Sequence, residues 1–220
     1  MYEPFDAPAE EPLPTLVYGT GLAMACDSIE YWTEEEYVGR ELAPEGYRVV
    51  LPIPPCHGRR EVPGSYTGEP YLARLPVSAV ALFVAAHAGT WPERMRPDVA
   101  IPVAASAAIG DLLFESSLTE VLGVTGALRD AGWTPELMRE LDSLLTAPET
   151  PGLAPGRIFP VGGLVDEMTQ YPTTRETLDR WGVPDRNRLE WDCGHFGVTL
   201  RAMRTEEFQE FVRAALASPA

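Results

Sequence analysis

Short β-rich runs alternate with amphipathic stretches along this chain, and this alternation restricts the fold more than any other feature. The run TLVY at 15–18 ends in the turn GTG at 19–21, a helical pattern follows over 30–42, and the β-branched run YRVVLPI covers 47–53. A strand, a helix and a strand in this order predict two parallel strands joined by a crossover helix. The sequence therefore predicts an α/β fold with a mostly parallel sheet flanked by helices.

The same alternation continues to the end of the chain. The further predicted elements are a helix over 79–88, a strand over 98–105, helices over 118–128 and 135–145, a strand over 157–162, a helix over 173–181 opened by a Thr-x-x-Glu capping box, a strand over 188–192 and a helix over 205–217. We expect a flexible N-terminal segment, 1–14, followed by a single domain over 15–217. We expect residues 112–150 to form a helical excursion over the active edge of the sheet, which is the edge where the carboxyl ends of its parallel strands meet.

Composition and charge exclude several classes of partner. The chain has 17 Lys and Arg against 33 Asp and Glu, a formal net charge of −16, which repels nucleic acids and anionic membranes. Its longest apolar run, 77–86, is far shorter than the roughly 20 residues that cross a bilayer. The acidic N-terminus is unlike a targeting peptide, and the three cysteines form no C-x-x-C pair. These features predict a cytoplasmic protein that acts on a small molecule, without nucleic acid or membrane as a partner.

The strongest chemical signal lies in the final third of the chain. One predicted strand runs into GGLVD, which ends at Asp166, and the next runs into Gly194 and His195. Because the carboxyl ends of parallel strands meet at one edge of a sheet, we expect Asp166 and His195 to lie there together. A carboxylate can fix the tautomer of an imidazole and stabilise it when it is protonated. The pair therefore has the chemistry of the acid and base of a hydrolytic triad.

Simpler interpretations of these residues remain open. An aspartate after a strand is commonly a turn or cap residue, and a loop histidine commonly makes a backbone hydrogen bond. His57, which lies beside two arginines, fits an anion-binding residue or an ordinary loop residue. The three histidines and Asp166 match no metal-ligand spacing, so we expect no metal site and no cofactor.

The chain resembles the α/β-hydrolase superfamily, and within it the abhydrolase-domain-18-like branch, over about residues 15–217. The resemblance rests on LVYGTG at 16–21, PCHGRR at 55–60, a Trp-Pro turn after the predicted 79–88 helix, and the tail GGLVDEM, RETLDRW and DCGHFG. It implies the triad order of nucleophile, acid and histidine. It also implies that a turn formed by Gly19, Thr20, Gly21 and Leu22 supplies an oxyanion-hole amide, and that His57 lies in a loop near the substrate.

The sequence departs from this family at the nucleophile, because it contains no G-x-S-x-G. Ser78 is the best positional candidate, in Pro-Val-Ser-Ala-Val, where a strand-like run meets the Ala-rich helix. Pro76 and Val80 occupy the two glycine positions of an ordinary elbow, and Ser78 also fits a simple helix N-cap. Segment 54–70 is too short and too rich in proline and glycine for a full strand and helix. The chain is either an abridged relative or one whose elbow has degenerated.

Two functions follow from these expectations. In the first, the protein is a serine hydrolase for an ester or similar acyl bond: Ser78 attacks, His195 transfers the proton, Asp166 orients His195, and amides near Gly21 and Ala79 bind the oxyanion. In the second, it is a non-catalytic α/β-hydrolase-like binding or scaffold protein. A missing strand would also leave a sheet edge that a second copy of the chain could cover.

Overall fold

The computed structural model describes residues 13–17, 41–50, 80–121, 123–138, 140 and 148–217. The chain divides into two compact units, residues 1–77 and residues 78–220. The expected single domain over 15–217 and the expected flexible segment over 1–14 stay predictions.

The first unit contains a pair of parallel strands, as the sequence predicts. Strands β1 (Thr15–Val17) and β2 (Arg48–Val50) are in register, with Leu16 opposite Val49. Val49 is fully buried at the centre of β2. Gly46, with φ of +95°, makes the turn before β2, a conformation that costs glycine less than other residues. The predicted crossover helix over 30–42 lies almost entirely outside the described residues.

The second unit also contains parallel strands. Strand β3 (Val161–Gly163) pairs with β4 (Leu189–Trp191), with Gly162 opposite Glu190. On the other side of β3, single parallel bridges join Ala100 to Ile158 and Val103 to Val161. The mixed α/β class and the parallel pairing are therefore confirmed for the described residues.

Seven α-helices lie entirely within the described residues of the second unit, and residues 135–138 and 140 are also helical. They are α1 (Val80–His87), α2 (Ile109–Glu115), α3 (Ser117–Val121), α4 (Val124–Asp130), α5 (Tyr171–Arg180), α6 (His195–Arg204) and α7 (Glu206–Leu216). Within those residues, no helix has the length and apolar character needed to cross a membrane.

The core of the second unit lies between α1, α5 and residues 100–103, which form the two bridges and are called the bridged segment. Leu82, Ala85 and Ala86 of α1 pack with Ile158 and Leu178, and the cluster also contains Ala100, Ala105, Ala107, Trp181 and Val183. Gly152 allows its segment to cross α1 closely, because a Cβ there would lie 2.7 Å from the carbonyl oxygen of Ala86. The alanines of α1 thus leave room for residues 152 and 153, whose amides donate to the carbonyls of Ala86 and Ala85 at 2.8 and 2.9 Å.

Three predicted elements are wrong in detail, and one helix was missed. The single helix over 118–128 is interrupted at Gly123, whose φ of +70° ends α3 and starts α4. The capping box at Thr173 is absent, because α5 begins at Tyr171 after Gln170 in the left-handed conformation. The strand over 98–105 is reduced to two bridges around Pro102, which has no N–H to donate. Helix α6, which begins at His195, was not predicted.

The predicted helical excursion over 112–150 is helical in most of its described part. Glu115, the last residue of α2, and Ser116, which precedes α3, contact the segment that follows β3. The Ser116 hydroxyl donates to the Met168 carbonyl at 2.5 Å, and Gln170 Nε2 donates to the Glu115 carbonyl at 3.1 Å. Residues 135–138 are helical, and the Thr134 hydroxyl caps them by accepting from the Leu137 amide.

Candidate active site

Asp166 lies in the turn that follows β3. Its amide donates to the Gly163 carbonyl at 3.0 Å, which holds the turn against the end of the strand. Its side chain is fully buried. Oδ1 accepts from the amides of Met168 at 2.9 Å and Thr169 at 3.1 Å, and Oδ2 accepts from the Thr169 hydroxyl at 2.8 Å. Asp166 is therefore a turn residue, as the simpler interpretation of the sequence predicts. The same hydrogen bonds hold its carboxylate in one orientation.

His195 follows the neighbouring strand. Strand β4 ends at Trp191, and after a short turn that ends at Gly194 the histidine opens α6. Its Nδ1 lies 3.0 Å from Asp166 Oδ2, and its side chain is 23% exposed, whereas that of Asp166 is 0% exposed. The predicted hydrogen bond between the two side chains is confirmed. Their catalytic roles stay a prediction.

Glycines allow the two strand ends to come this close. A Cβ on Gly163 would lie 2.2 Å from the Cys193 carbonyl oxygen, and one on Gly197 would lie 2.7 Å from the Cys193 Cβ. Both distances are shorter than van der Waals contact permits. The turn before His195 is therefore packed directly against the last residue of β3 and the first turn of α6.

The ionised carboxylate of Asp166 determines which ring nitrogen of His195 carries the proton. Burial works to raise the pKa of Asp166, but the hydrogen bond and charge of His195, together with hydrogen bonds from Thr169, outweigh it and hold the pKa below its ordinary value. An ionised carboxylate only accepts hydrogen bonds, so Nδ1 of His195 is the donor. In the neutral imidazole, Nε2 then carries the lone pair. That is the tautomer a general base needs.

Comparison with known proteins finds no family whose model matches this chain and no curated protein that matches it.

The other predicted site residues lie outside the described residues. These are Ser78, Ala79, His57 and the four residues of the predicted oxyanion turn, Gly19, Thr20, Gly21 and Leu22. The helix that follows Ser78 begins at Val80, as the sequence predicts to within a residue. The predicted roles of these undescribed residues stay predictions.

Sequence reasoning missed Thr169, which contacts Asp166 through both its amide and its hydroxyl. The signal was a hydroxyl residue three positions after an aspartate, a spacing common in turns closed by side chains. One described serine, Ser106, lies three residues after Val103, which is bridged to β3. It is buried, and its hydroxyl donates to the Ala108 carbonyl at 3.1 Å. That hydroxyl is engaged within its own loop, so Ser106 is a poor nucleophile.

Within the described parts of the chain, no three His, Cys, Asp or Glu side chains are grouped so as to hold a metal ion. The arrangement of Asp166 and His195 has a different chemistry. It can take a proton from a hydroxyl at Nε2 and stabilise the resulting imidazolium with a buried carboxylate.

Proposed function

We propose that this protein is a serine hydrolase of the α/β-hydrolase type that cleaves an ester or similar acyl bond. The observation that carries the proposal is the 3.0 Å hydrogen bond between the Asp166 carboxylate and His195 Nδ1, at the ends of two adjacent parallel strands. The order of Ser78, Asp166 and His195 along the chain is the order of nucleophile, acid and base in that fold. The proposed enzyme works in the cytoplasm on a small molecule and requires no cofactor.

In the proposed reaction, Ser78 Oγ bonds to the acyl carbon while its proton passes to His195 Nε2. The carbonyl oxygen becomes an oxyanion, which the backbone amide of Ala79, the residue after the proposed nucleophile, stabilises. The bond from the acyl carbon to the alcohol oxygen then breaks, and the alcohol leaves with the proton from His195. Water repeats the sequence on the acyl-serine, and an acid and the free serine result.

Asp166 contributes by orientation and by charge. Its four hydrogen bonds fix Oδ2 beside Nδ1, so the imidazole is held in one tautomer through the cycle. Its negative charge favours the imidazolium that forms when His195 takes the proton.

The second candidate is a non-catalytic binding or scaffold protein with the same ancestry. The observation that favours it is the absence of G-x-S-x-G, since Pro76 and Val80 stand where the close-packed glycines of an elbow are expected. In that case His195 has no hydroxyl from which to accept a proton.

Labelling with a fluorophosphonate probe, followed by peptide mapping, distinguishes the two candidates. The hydrolase predicts that the native protein is labelled on the peptide containing Ser78, and that Ser78→Ala abolishes the label. His195→Ala and Asp166→Asn should slow labelling, because they remove the base or its orientation.

The matched control is Ser117→Ala, which changes an exposed serine at the first position of α3 and should label like the wild type. Heat-denatured protein should not react. Equal labelling of native and denatured protein, or no labelling of native protein, supports the non-catalytic candidate.

A further inference from the structure

Large apolar side chains are exposed around the Asp166 and His195 pair. Among the described residues, eight large hydrophobic side chains are exposed, and four of them lie on the two segments that carry this pair. Leu164 and Val165 directly precede Asp166, Phe196 directly follows His195, and Leu200 lies one helical turn further along α6. Phe196 is 70% exposed and Val165 is 58% exposed. We call these four residues the apolar rim.

The two halves of the apolar rim are brought together by the same contacts that form the pair. The Val165 carbonyl oxygen lies 3.7 Å from the position that a Cβ of Gly194 would occupy, and the Leu164 amide donates to the Trp191 carbonyl at 2.9 Å. Phe196 and Leu200 are four residues apart in α6 and therefore share one face of the helix. The ring of Phe196 meets that of His195 edge to face, with centroids 6.0 Å apart.

We propose that the apolar rim binds the acyl chain of a neutral ester, an inference that rests on the proposed hydrolase function and names its substrate class. Contact between apolar side chains and water is unfavourable. An acyl chain that covers these side chains removes that contact, which lowers the free energy of the complex. Leu164, Val165 and Phe196 adjoin the pair in sequence, and the Phe196 ring meets that of His195 edge to face. An acyl chain whose carbonyl carbon reaches His195 therefore has apolar side chains close to it.

Charge selects the neutral ester. Two exposed acids, Glu167 and Asp192, follow the carboxyl ends of β3 and β4, against one exposed cation, Arg201, which follows Leu200. The whole chain carries a net charge of −16. A free fatty carboxylate or a phosphate headgroup would meet repulsion there, whereas an uncharged acyl ester would not. A protein seated on the rim would also cover the exposed part of His195 and close the site.

A chain-length series tests the proposal. The kcat/KM of p-nitrophenyl acetate, butyrate and octanoate is measured with the wild type and with Phe196→Ser, Leu200→Ser and Met95→Ser. Each methylene fully buried increases kcat/KM by up to about fourfold, so partial burial predicts at least about a tenfold gain from acetate to octanoate. Phe196→Ser and Leu200→Ser should each reduce that gain at least about threefold.

Met95→Ser is the matched control. Met95 is also an exposed apolar residue, but it lies in the connection from α1 to the beginning of the bridged segment, away from the strand ends that carry the pair. It should leave the gain unchanged.

A binding measurement separates this proposal from the proposed function. The ketones 2-decanone and 2-butanone, which contain no ester bond, are titrated into ¹⁵N-labelled full-length protein while the amides of Val165 and Phe196 are followed. We expect 2-decanone to shift both amides with a Kd at least about tenfold lower than that of 2-butanone. If no ester is hydrolysed but 2-decanone binds in this way, the hydrolase fails and the apolar site stands.

Two results would overturn the apolar site. One is a flat chain-length series together with no binding of 2-decanone. The other is a wild type that self-associates in sedimentation velocity and becomes monomeric in Phe196→Ser, without binding the ketone, since a second copy of the chain then covers the rim.

Discussion

At the scale of single residues, Asp166 both closes a turn and binds the His195 imidazole. Oδ1 closes the turn by accepting two backbone amides, and Oδ2 accepts from Thr169 and His195. Each donor stabilises the ionised form, which is why the pKa lies below its ordinary value in spite of burial. The turn is therefore part of what would make the imidazole a base.

Replacing Thr169 by valine removes one donor from Oδ2 and keeps the shape of the side chain. We expect Thr169→Val to lower the free energy of unfolding at pH 7 by about 1–2 kcal/mol, since the lost hydrogen bond is buried and charge-assisted. The folded pKa of Asp166 lies below its unfolded value of about 4. Its stabilising contribution is thus present above about pH 4 and is lost as the pH falls through the folded pKa. Urea unfolding between neutral and acidic pH measures this difference.

Thr169→Ser is the control, because it keeps the hydroxyl and loses only a methyl group. Its effect on the free energy of unfolding should not change with pH. A Thr169→Val difference that stays constant through the acidic range would show that the hydroxyl does not stabilise the ionised carboxylate.

At the scale of secondary-structure elements, the site depends on how closely β3, the turn before α6 and α6 itself approach one another. Gly163 ends β3 against the Cys193 carbonyl, and Val198 of α6 is fully buried beside it. The helix begins at His195, so any change in this packing moves the imidazole relative to Asp166.

Gly163→Ala should therefore disturb both stability and geometry. The added methyl group meets a backbone carbonyl that cannot rotate away, so we expect the free energy of unfolding to fall by about 1–3 kcal/mol. Gly126→Ala in α4 is the control: nothing lies within 4 Å of its Cβ position, and alanine favours a helix by up to about 1 kcal/mol. Similar stabilities for the two variants in urea unfolding would contradict the packing described for Gly163.

The elements differ in how well the sequence predicts them. Parallel strands and the meeting of Asp166 with His195 follow from strand-end motifs, because the carboxyl ends of neighbouring parallel strands share an edge. Helix α6 was missed because its first turn, His-Phe-Gly-Val, contains a glycine, which is typical of a loop. That glycine is required by contact with Cys193, a tertiary effect that no local pattern contains.

The division of α3 from α4 was missed for a similar reason. The apolar pattern over 118–128 continues past Gly123, and only its positive φ interrupts the helix. The Thr125 hydroxyl donates to the Leu113 carbonyl at 2.8 Å, so contact with α2 fixes the bend. Roles that depend on Ser78 and on the oxyanion turn stay predictions from the sequence.

At the scale of the whole molecule, the net charge of −16 favours the approach of neutral or cationic molecules over that of anions. An acidic surface repels anions at a distance, and salt screens that repulsion. We expect kcat/KM for an anionic nitrophenyl ester to rise about twofold to fivefold between about 0.01 M and about 0.3 M salt. The value for a neutral ester of similar size should stay constant. An equal response of the two esters would show that the net charge does not act on the substrate.

Turnover of a short-chain p-nitrophenyl ester tests whether Ser78, His195 and Asp166 act as one unit on an acyl bond. We expect Ser78→Ala and His195→Ala each to lower kcat by at least about 10³-fold, and the double variant to be no slower than either, because a triad with one member removed has already lost its function. Turnover that survives unchanged in Ser78→Ala, or losses that add in the double variant, would show that these residues do not form a catalytic triad.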